Sequence, residues 1–384
     1  MTMELRPCII HVGQSKTGTT SIQSTLFWRL RNTSHHFVTL DSFFGNRMLL
    51  AAFAEQQDAE RTVFLQRVSP GGMHRLCVRA QDFLDRSLRF AHKRNLVPIL
   101  SAEAIWHFFS EHAMEELRDF VAARGFRPQV LGYLRAPRDW IESGFQQSAR
   151  IGDQNLWAET IKRLSMLRPK EVISRMDKVF GRENTSMYFF DLEQFPKKCV
   201  VQHFCENAGI SIPPDRIIRE NESLNLHALQ FVHAFNCRLN PKQRGIMSRL
   251  SQAVLIRILA ELPGPSVRLH SAVSSDYLRE FEKNQPWLRE RLGRDVPTTL
   301  VSRTIGEGLR HEPDLTQYSD DALEWLGRKL ERPVRAGSGL AGQREIARAL
   351  TQLLWRSPGA IAQVVRENIG LRLERARQKR ALWS

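Results

Sequence analysis

A chain of 384 residues, 42% of them hydrophobic, can bury one large core or a core with a smaller addition, which excludes global disorder. Its formal net charge of +15 calls for an anionic partner, whether nucleotide, acidic glycan, nucleic acid or membrane surface, without choosing among them. The cysteines at 8, 77, 199, 205 and 237 are irregularly spaced and suggest neither a disulfide framework nor a zinc site, and no apolar run is long enough to span a bilayer.

Taken in order, Cys8 to Val12 is a largely apolar run with the length of one buried parallel strand, and Gly13 ends it. Gln14 to Gly18 read as a tight loop. From Thr19 the pattern is helical, with Ile22, Leu26 and Leu30 at four-residue spacing. Strand, glycine-bounded loop and helix together make a phosphate cradle, because the loop N–H groups and the helix N-terminus both face an anion. Lys16 adds a full positive charge, and Thr17, Thr19, Thr20 and Ser21 add hydroxyl donors. Gly13 and Gly18 stand at the separation of a nucleoside-triphosphatase loop, G-x-x-x-x-G-K-[ST], but Thr19 follows Gly18 and the lysine lies inside the loop. The plain alternative is a Gly/Thr turn before a helix.

Further along, His35 to Leu40 reads as a short strand, Asp41 to Gly45 as a turn, and Asn46 to Val68 as a helix broken by Ser69-Pro-Gly-Gly72. Cys77 to Arg94 is helical with Phe83, Leu84, Leu88 and Ala91 inward. Asn95 to Leu100 is a strand followed at once by Ser101-Ala-Glu103. A helix from His112 to Arg124, a strand from Gln129 to Leu134 and a helix starting at Pro137 come next. Two short helices flank Pro169 between Leu156 and Phe180, Thr185 to Asp191 is a strand, and Leu192 to Ala208 is a helix. This alternation predicts an α/β doubly wound parallel sheet with a P-loop-like phosphate-binding loop. Ligands of such sheets bind beyond the carboxyl ends of the strands, where the loop, Glu103 and Arg135 all fall. Past Asn240 the pattern is mostly helical. Ser274 to Leu292 reads as one charged amphipathic helix, and Gln343 to Trp355 and Ala360 to Trp383 as two more around Pro358-Gly359. The expected division is an α/β domain over residues 1–293 and a helical, basic C-terminal extension over 294–384.

Two segments carry a family resemblance. His11 to Gln23, H-x-G-x-x-K-T-G-T-T-S-I-Q, resembles the 5′-phosphosulfate loop of sulfotransferases, most of all the bacterial and carbohydrate-type members. Val130-Leu-Gly-Tyr-Leu-Arg135-Ala-Pro137, with Ser143 eight residues after the arginine, resembles their 3′-phosphate-binding segment. An arginine at a strand end can grip a phosphate bidentately, or can pair with a carboxylate such as Asp139 or Glu142. A third segment, Ile99-Leu-Ser-Ala-Glu103, resembles the strand and S-x-E turn of the members that use a glutamate base. Met187 to Glu193, Asn221 to Asn225 and Ser274 to Phe281 resemble later parts of the family more loosely, so the likeness covers Cys8 to Leu292.

The resemblance implies a sulfotransferase that uses 3′-phosphoadenosine-5′-phosphosulfate (PAPS) as co-substrate and needs no metal. It implies that Gln14, Ser15, Lys16, Thr17, Gly18, Thr19, Thr20 and Ser21 hold the 5′ end and Arg135 and Ser143 the 3′-phosphate. Lys16 and Glu103 are the catalytic candidates, with His107 as a second candidate base one helical turn on; the alternative for Glu103 is a glutamate that stabilises a helix start. His11 is read as packed under the loop, and Trp106 and Trp157 are the candidates for stacking on adenine. The expected acceptor is a carbohydrate or another small metabolite, with no specific nucleic-acid partner. Met1 to Pro7 holds no signal-peptide region, and the Golgi members' anchor has no counterpart, so a soluble, cytoplasmic, bacterial protein is expected. The basic helix over residues 363–384 is a candidate for peripheral contact with an anionic surface. The rival readings are a P-loop kinase, with Asp191 as the strand-end option for magnesium, and a non-catalytic nucleotide- or polyanion-binding protein.

Overall fold

The structure is a computed structural model that describes residues 5–30, 34–39, 45–53, 73–165, 168–219, 223–238, 246–300 and 308–366. The expected helix beyond residue 53, the break at Ser69 to Gly72, Asn221 and the basic tail beyond residue 366 lie outside them.

The described chain runs through β1 (Arg6–Gly13), α1 (Thr19–Arg29), β2 (His35–Phe37), α2 (Gly45–Phe53), α3 (Met73–Lys93) and β3 (Val97–Ser101). It continues with α4 (Ala104–Phe108), α5 (Glu111–Ala122), β4 (Phe126–Leu134), α6 (Pro137–Ile151), α7 (Leu156–Ser165), α8 (Pro169–Phe180), β5 (Thr185–Phe189) and α9 (Val200–Asn207). Then follow α10 (Leu226–Cys237), α11 (Ile246–Leu259), α12 (Ser275–Lys283), α13 (Gln285–Leu292), α14 (Asp320–Leu330) and α15 (Gly339–Trp355).

The chain divides into two compact units interleaved in sequence. One comprises Met1–Pro137, Arg168–Asn221 and Phe281–Leu300; the other comprises Arg138–Leu167, Glu222–Glu280 and Val301–Ser384.

The first unit is α/β. Its five strands are parallel, in the order β2-β3-β1-β4-β5. Cys8 to Val12 is buried throughout, as a central parallel strand covered on both faces must be. β1 lies between β3 and β4, with Ile9 beside Ile99, His11 beside Ser101, and Gly13 beside Tyr133. From β1 the chain builds β2 and β3 on one side and then crosses to β4 and β5 on the other. The switch point of the sheet is therefore the carboxyl end of β1, and the ends of β3 and β4 flank it. One core layer joins Ile9, Ile99, Leu131 and Tyr133 of the strands to Ile22 and Leu26 of α1 and Val200, Val201 and Phe204 of α9. Phe204 is fully buried, so cutting it to alanine costs about 3–5 kcal/mol. α13 belongs here because Arg291 grips Asp177 bidentately at 2.6 and 2.7 Å and also donates to the Thr185 carbonyl at 2.7 Å.

The second unit is helical. Asn225 caps α10 by accepting the Ala228 N–H at 2.8 Å. Glu142 on α6 is buried and accepts the Leu269 N–H at 2.9 Å, with Arg268 beside it at 3.3 Å. Asn236 donates to the Ala149 carbonyl at 2.7 Å.

Among the expected elements whose bounds differ, three have a local cause. Leu192 to Ala208 is not one helix: short 3-10 turns over Leu192–Gln194 and Pro196–Lys198 precede α9. Asp191 accepts the Glu193 N–H, Pro196 has no N–H to continue a helix, and Lys197 and Lys198 take left-handed φ values of 50° and 54°. The helix expected over Ser274 to Leu292 breaks at Asn284, with Pro286 in the first turn of α13. The strand expected from Asn95 starts at Val97, because Asn95 sits at φ 57° in a turn. No helix of the described residues is long and apolar enough to cross a membrane.

Two histidines are almost without exposure, and burial lowers the pKa of His11 to about 3 and of His233 to about 4. Both values lie below the ordinary 6.5, so between these limits the unfolded chain binds protons that the folded chain refuses. The stability they affect is complete above pH 6.5 and is lost as pH falls toward 4, by about 1.4 kcal/mol per pH unit for each histidine. Urea unfolding at pH 7, 6 and 5 should show the midpoint falling with each step; a midpoint that holds steady would contradict this.

Candidate functional site

The segment Gln14 to Gly18 leaves the end of β1 and enters α1. Lys16 sits at φ 69°, an uncommon setting for a residue with a Cβ, and Gly18, the residue before the helix, sits at φ 82°. Residues turned this way aim successive N–H groups into one concavity. At Gly13 a Cβ would stand 2.7 Å from Thr17 Oγ1, which donates to the Gln14 carbonyl at 2.7 Å and so holds the turn tight. At Gly18 a Cβ would stand 2.5 Å from Val200 Cγ1. Gly18, at the N-cap of α1, has no side chain to cap the helix, and no acidic residue lies in its first turn. Thr19 is 3% exposed, and its Oγ1 has no hydrogen-bond partner among the described residues. A helix start with no side chain at its N-cap, a lysine in the loop and a buried hydroxyl without a partner among the described residues are what an anion would satisfy. Thr20 is exposed and Ser21 half-buried on the following turn.

Neighbouring strand ends tie the loop down. The Gln14 N–H donates to the Tyr133 carbonyl at 2.9 Å, and its side-chain Oε1 accepts the Arg135 N–H at 3.0 Å. The Arg135 guanidinium donates through Nη1 to the Lys16 carbonyl at 2.6 Å and lies 5.4 Å from the Phe190 ring centroid. From the other side, the Ser15 N–H donates to His107 Nε2 at 3.2 Å. The sheet thus brings the ends of β1, β3 and β4 together around the loop, as the strand-end argument expected.

Glu103 is half-buried at the start of α4, directly after β3, where its side chain makes no capping bond to that helix. The Ala102 N–H donates to the His11 carbonyl at 3.0 Å, which fixes this turn to β1. His107 is one helical turn on, and its contact with Ser15 was not legible in the sequence, since it joins residues 92 apart. That contact has a chemical consequence. A neutral imidazole has one acceptor nitrogen, and here it is Nε2, so the proton is on Nδ1.

Ser143 lies half-buried on α6 in the second unit. The two tryptophans named as adenine candidates have packing of their own. Trp106 is 3% exposed, and Trp157 packs 4.8 Å from Phe145 while donating Nε1–H to the Arg310 carbonyl. Asp191 is buried, accepts the Glu193 N–H at 3.2 Å and is paired with Arg294 at 3.3 Å. Among the described residues no group of three or more His, Cys, Asp or Glu side chains is placed to hold a metal ion.

No protein-family model matches the chain, and no curated protein matches it. Among solved structures, the sulfotransferase domain of the olefin synthase from Synechococcus PCC 7002 aligns at 13% identity, over 73% of this chain and 95% of that one, with a TM-score of 0.33. The site is accordingly read from this chain's own residues.

Gly18→Ala should damage the loop twice, through the Val200 contact and through a left-handed φ that costs a residue with a Cβ about 1 kcal/mol or more. Thermal unfolding should show a lower midpoint, and calorimetry with inorganic sulfate or adenosine 3′,5′-bisphosphate should show at least about tenfold weaker binding. Binding and melting both equal to wild type would mean that the loop does not need this glycine.

Proposed function

We propose that the chain is a sulfotransferase that moves the sulfuryl group of PAPS to a hydroxyl or amine of a carbohydrate or other small acceptor. The observation that carries this is the loop: Lys16 inside it, an uncapped α1 behind it, and the buried Thr19 hydroxyl without a partner. These groups fit the 5′-phosphosulfate end of PAPS, and Arg135, at the end of the adjacent strand, fits a second phosphate on the ribose. Ser143 joins Arg135 in that role by the sequence pattern. PAPS supplies an activated sulfuryl group whose leaving phosphate is already charged. Lys16 and the backbone amides that follow it into α1 stabilise the charge that grows on it as the S–O bond breaks.

The acceptor's proton needs a base. Glu103 is a carboxylate just past the end of β3, a group type that can take one, and His107 Nε2 accepts from the Ser15 N–H. We assign the base role to Glu103 and a loop-bracing role to His107. The kinase reading has less support, since Asp191, its option for magnesium, is paired with Arg294. A cytoplasmic setting, and contact of the basic residues 363–384 with an anionic surface, go with this reading as proposals.

A kinase-type site has no use for a phosphate on the ribose 3′ position. Adenosine 3′,5′-bisphosphate should therefore bind about tenfold to a hundredfold more tightly than adenosine 5′-monophosphate. Arg135→Ala should erase most of that preference and Ser143→Ala a smaller part. Calorimetry with both nucleotides on the three proteins decides it, and equal affinities in the wild type, or a preference for ATP with magnesium, would sink the reading.

Glu103→Gln keeps the shape of the side chain but cannot take a proton, so it should leave bisphosphate affinity in place and lower transfer from labelled PAPS by about a hundredfold or more. His107→Ala should instead weaken nucleotide binding, because it frees the Ser15 amide that shapes the loop. The opposite pattern in the two variants would hand the base role to the histidine.

A further inference from the structure

Beneath the loop, three polar side chains meet inside an otherwise apolar layer. We propose that His11, Ser101 and Gln23 are positioning residues, a buried brace that holds the Glu103 turn in place against the phosphate loop. This rests on Glu103 and the loop being the working parts of the site.

The placement is specific. His11 is on β1, two residues before Gly13; Ser101 is on β3, two residues before Glu103; Gln23 is on α1, the helix that the loop feeds. His11 and Ser101 face each other in the register of the sheet. His11 Nδ1 and Ser101 Oγ are 2.7 Å apart, and Gln23 Nε2 reaches both the Ser101 carbonyl at 3.0 Å and Ser101 Oγ at 3.1 Å. In the proposed brace both Gln23 amide hydrogens go to Ser101, one to the carbonyl and one to Oγ, and the serine hydroxyl gives its own hydrogen to Nδ1, which leaves the imidazole hydrogen on Nε2. That Nε2 finds no hydrogen-bond partner among the described residues and lies in a ring standing edge-on to Phe204, with centroids 4.9 Å apart.

All three side chains are almost fully buried. A core that needed only packing would be better served by leucine, because a buried polar group with an unmet hydrogen costs stability. What the polar trio adds is direction. Apolar contacts let a strand end slide, whereas three hydrogen bonds fix Ser101 to both β1 and α1, and with it the turn that carries Glu103. The layer of Ile9, Ile99 and Phe204 around the trio keeps water from competing.

The test uses the full chain. Hydrogen exchange read by mass spectrometry should be about tenfold faster over residues 102–107 in Ser101→Ala than in wild type. His11→Asn places a carbonyl oxygen near the Nδ1 position and should restore slow exchange, while His11→Leu, which packs but cannot accept, should not. Calorimetry adds the split that a merely structural role would not produce: bisphosphate affinity of Ser101→Ala within about threefold of wild type, but release of bisphosphate from PAPS at least about tenfold slower. Should Ser101→Ala be unstable, Gln23→Leu removes the brace from the helix side and serves the same comparison. Unchanged exchange over 102–107, or equal exchange in His11→Asn and His11→Leu, overturns the brace. If the wild type does not distinguish bisphosphate from monophosphate, the sulfotransferase reading fails, and the exchange result still decides the brace.

Discussion

A cradle built from backbone amides must hold itself open. Lys16 puts a positive charge in it, and the backbone at Lys16 is in a left-handed setting that lysine does not favour. Within the loop the Thr17 hydroxyl, which donates to the Gln14 carbonyl, holds the turn, and the rest of the shape comes from neighbours. Here it comes from three directions: the Tyr133 carbonyl and the Arg135 guanidinium at the end of β4, the His107 imidazole from α4, and the Val200 side chain of α9 pressed against Gly18. Tyr133 and Val200 are themselves buried, so these two supports are held by their own packing. The strained conformation therefore follows from the placement of β4, α4 and α9.

The parallel sheet makes this bracing possible. β1 has a strand on either side, and all carboxyl ends point one way, so the segments after β3 and β4 arrive where the segment after β1 needs support. An edge strand would have only one such neighbour. The same geometry gives the site a division of labour. The β4 side brings a cation and the β3 side brings a carboxylate, and the anion cradle lies between them. On the proposed function, this keeps a doubly charged group near Arg135 and Lys16 apart from the Glu103 carboxylate.

Much of this was legible in the sequence, for a physical reason. The loop is local: Gly13, Lys16, Gly18 and the helix after them are set by spacing alone, and the strands announce themselves as apolar runs. Helix starts at Pro137 and Pro169 were equally plain, since proline suits the first turn. The errors fell where local chemistry interrupts a favourable period. The hydrophobic pattern runs on through Leu192 to Ala208, but Pro196 and two left-handed lysines stop the helix from forming until Val200. At Asn284 the charged period continues in the same way across a break that Pro286 imposes. The tryptophans show a different limit of the sequence. A large aromatic is as useful in a core as on a ligand, and periodicity cannot tell Trp106 in its buried place from a stacking platform.

Arg135 shows why single residues at such a site resist a single label. The reading from sequence offered a phosphate grip or a carboxylate partner, and the structure adds a third role, donation to the Lys16 carbonyl. The roles are compatible because guanidinium carries five N–H donors in a rigid plane. One edge can hold the loop while another faces a ligand, and the ring of Phe190 gives the plane a surface to lie against. Lysine could not do this, since its charge is a point on a flexible stem and holding one partner moves it from the other. If the guanidinium is fixed by the loop it braces, a phosphate that binds there meets a donor whose rotamer entropy is already spent. Tight nucleotide binding and correct loop shape then depend on one side chain.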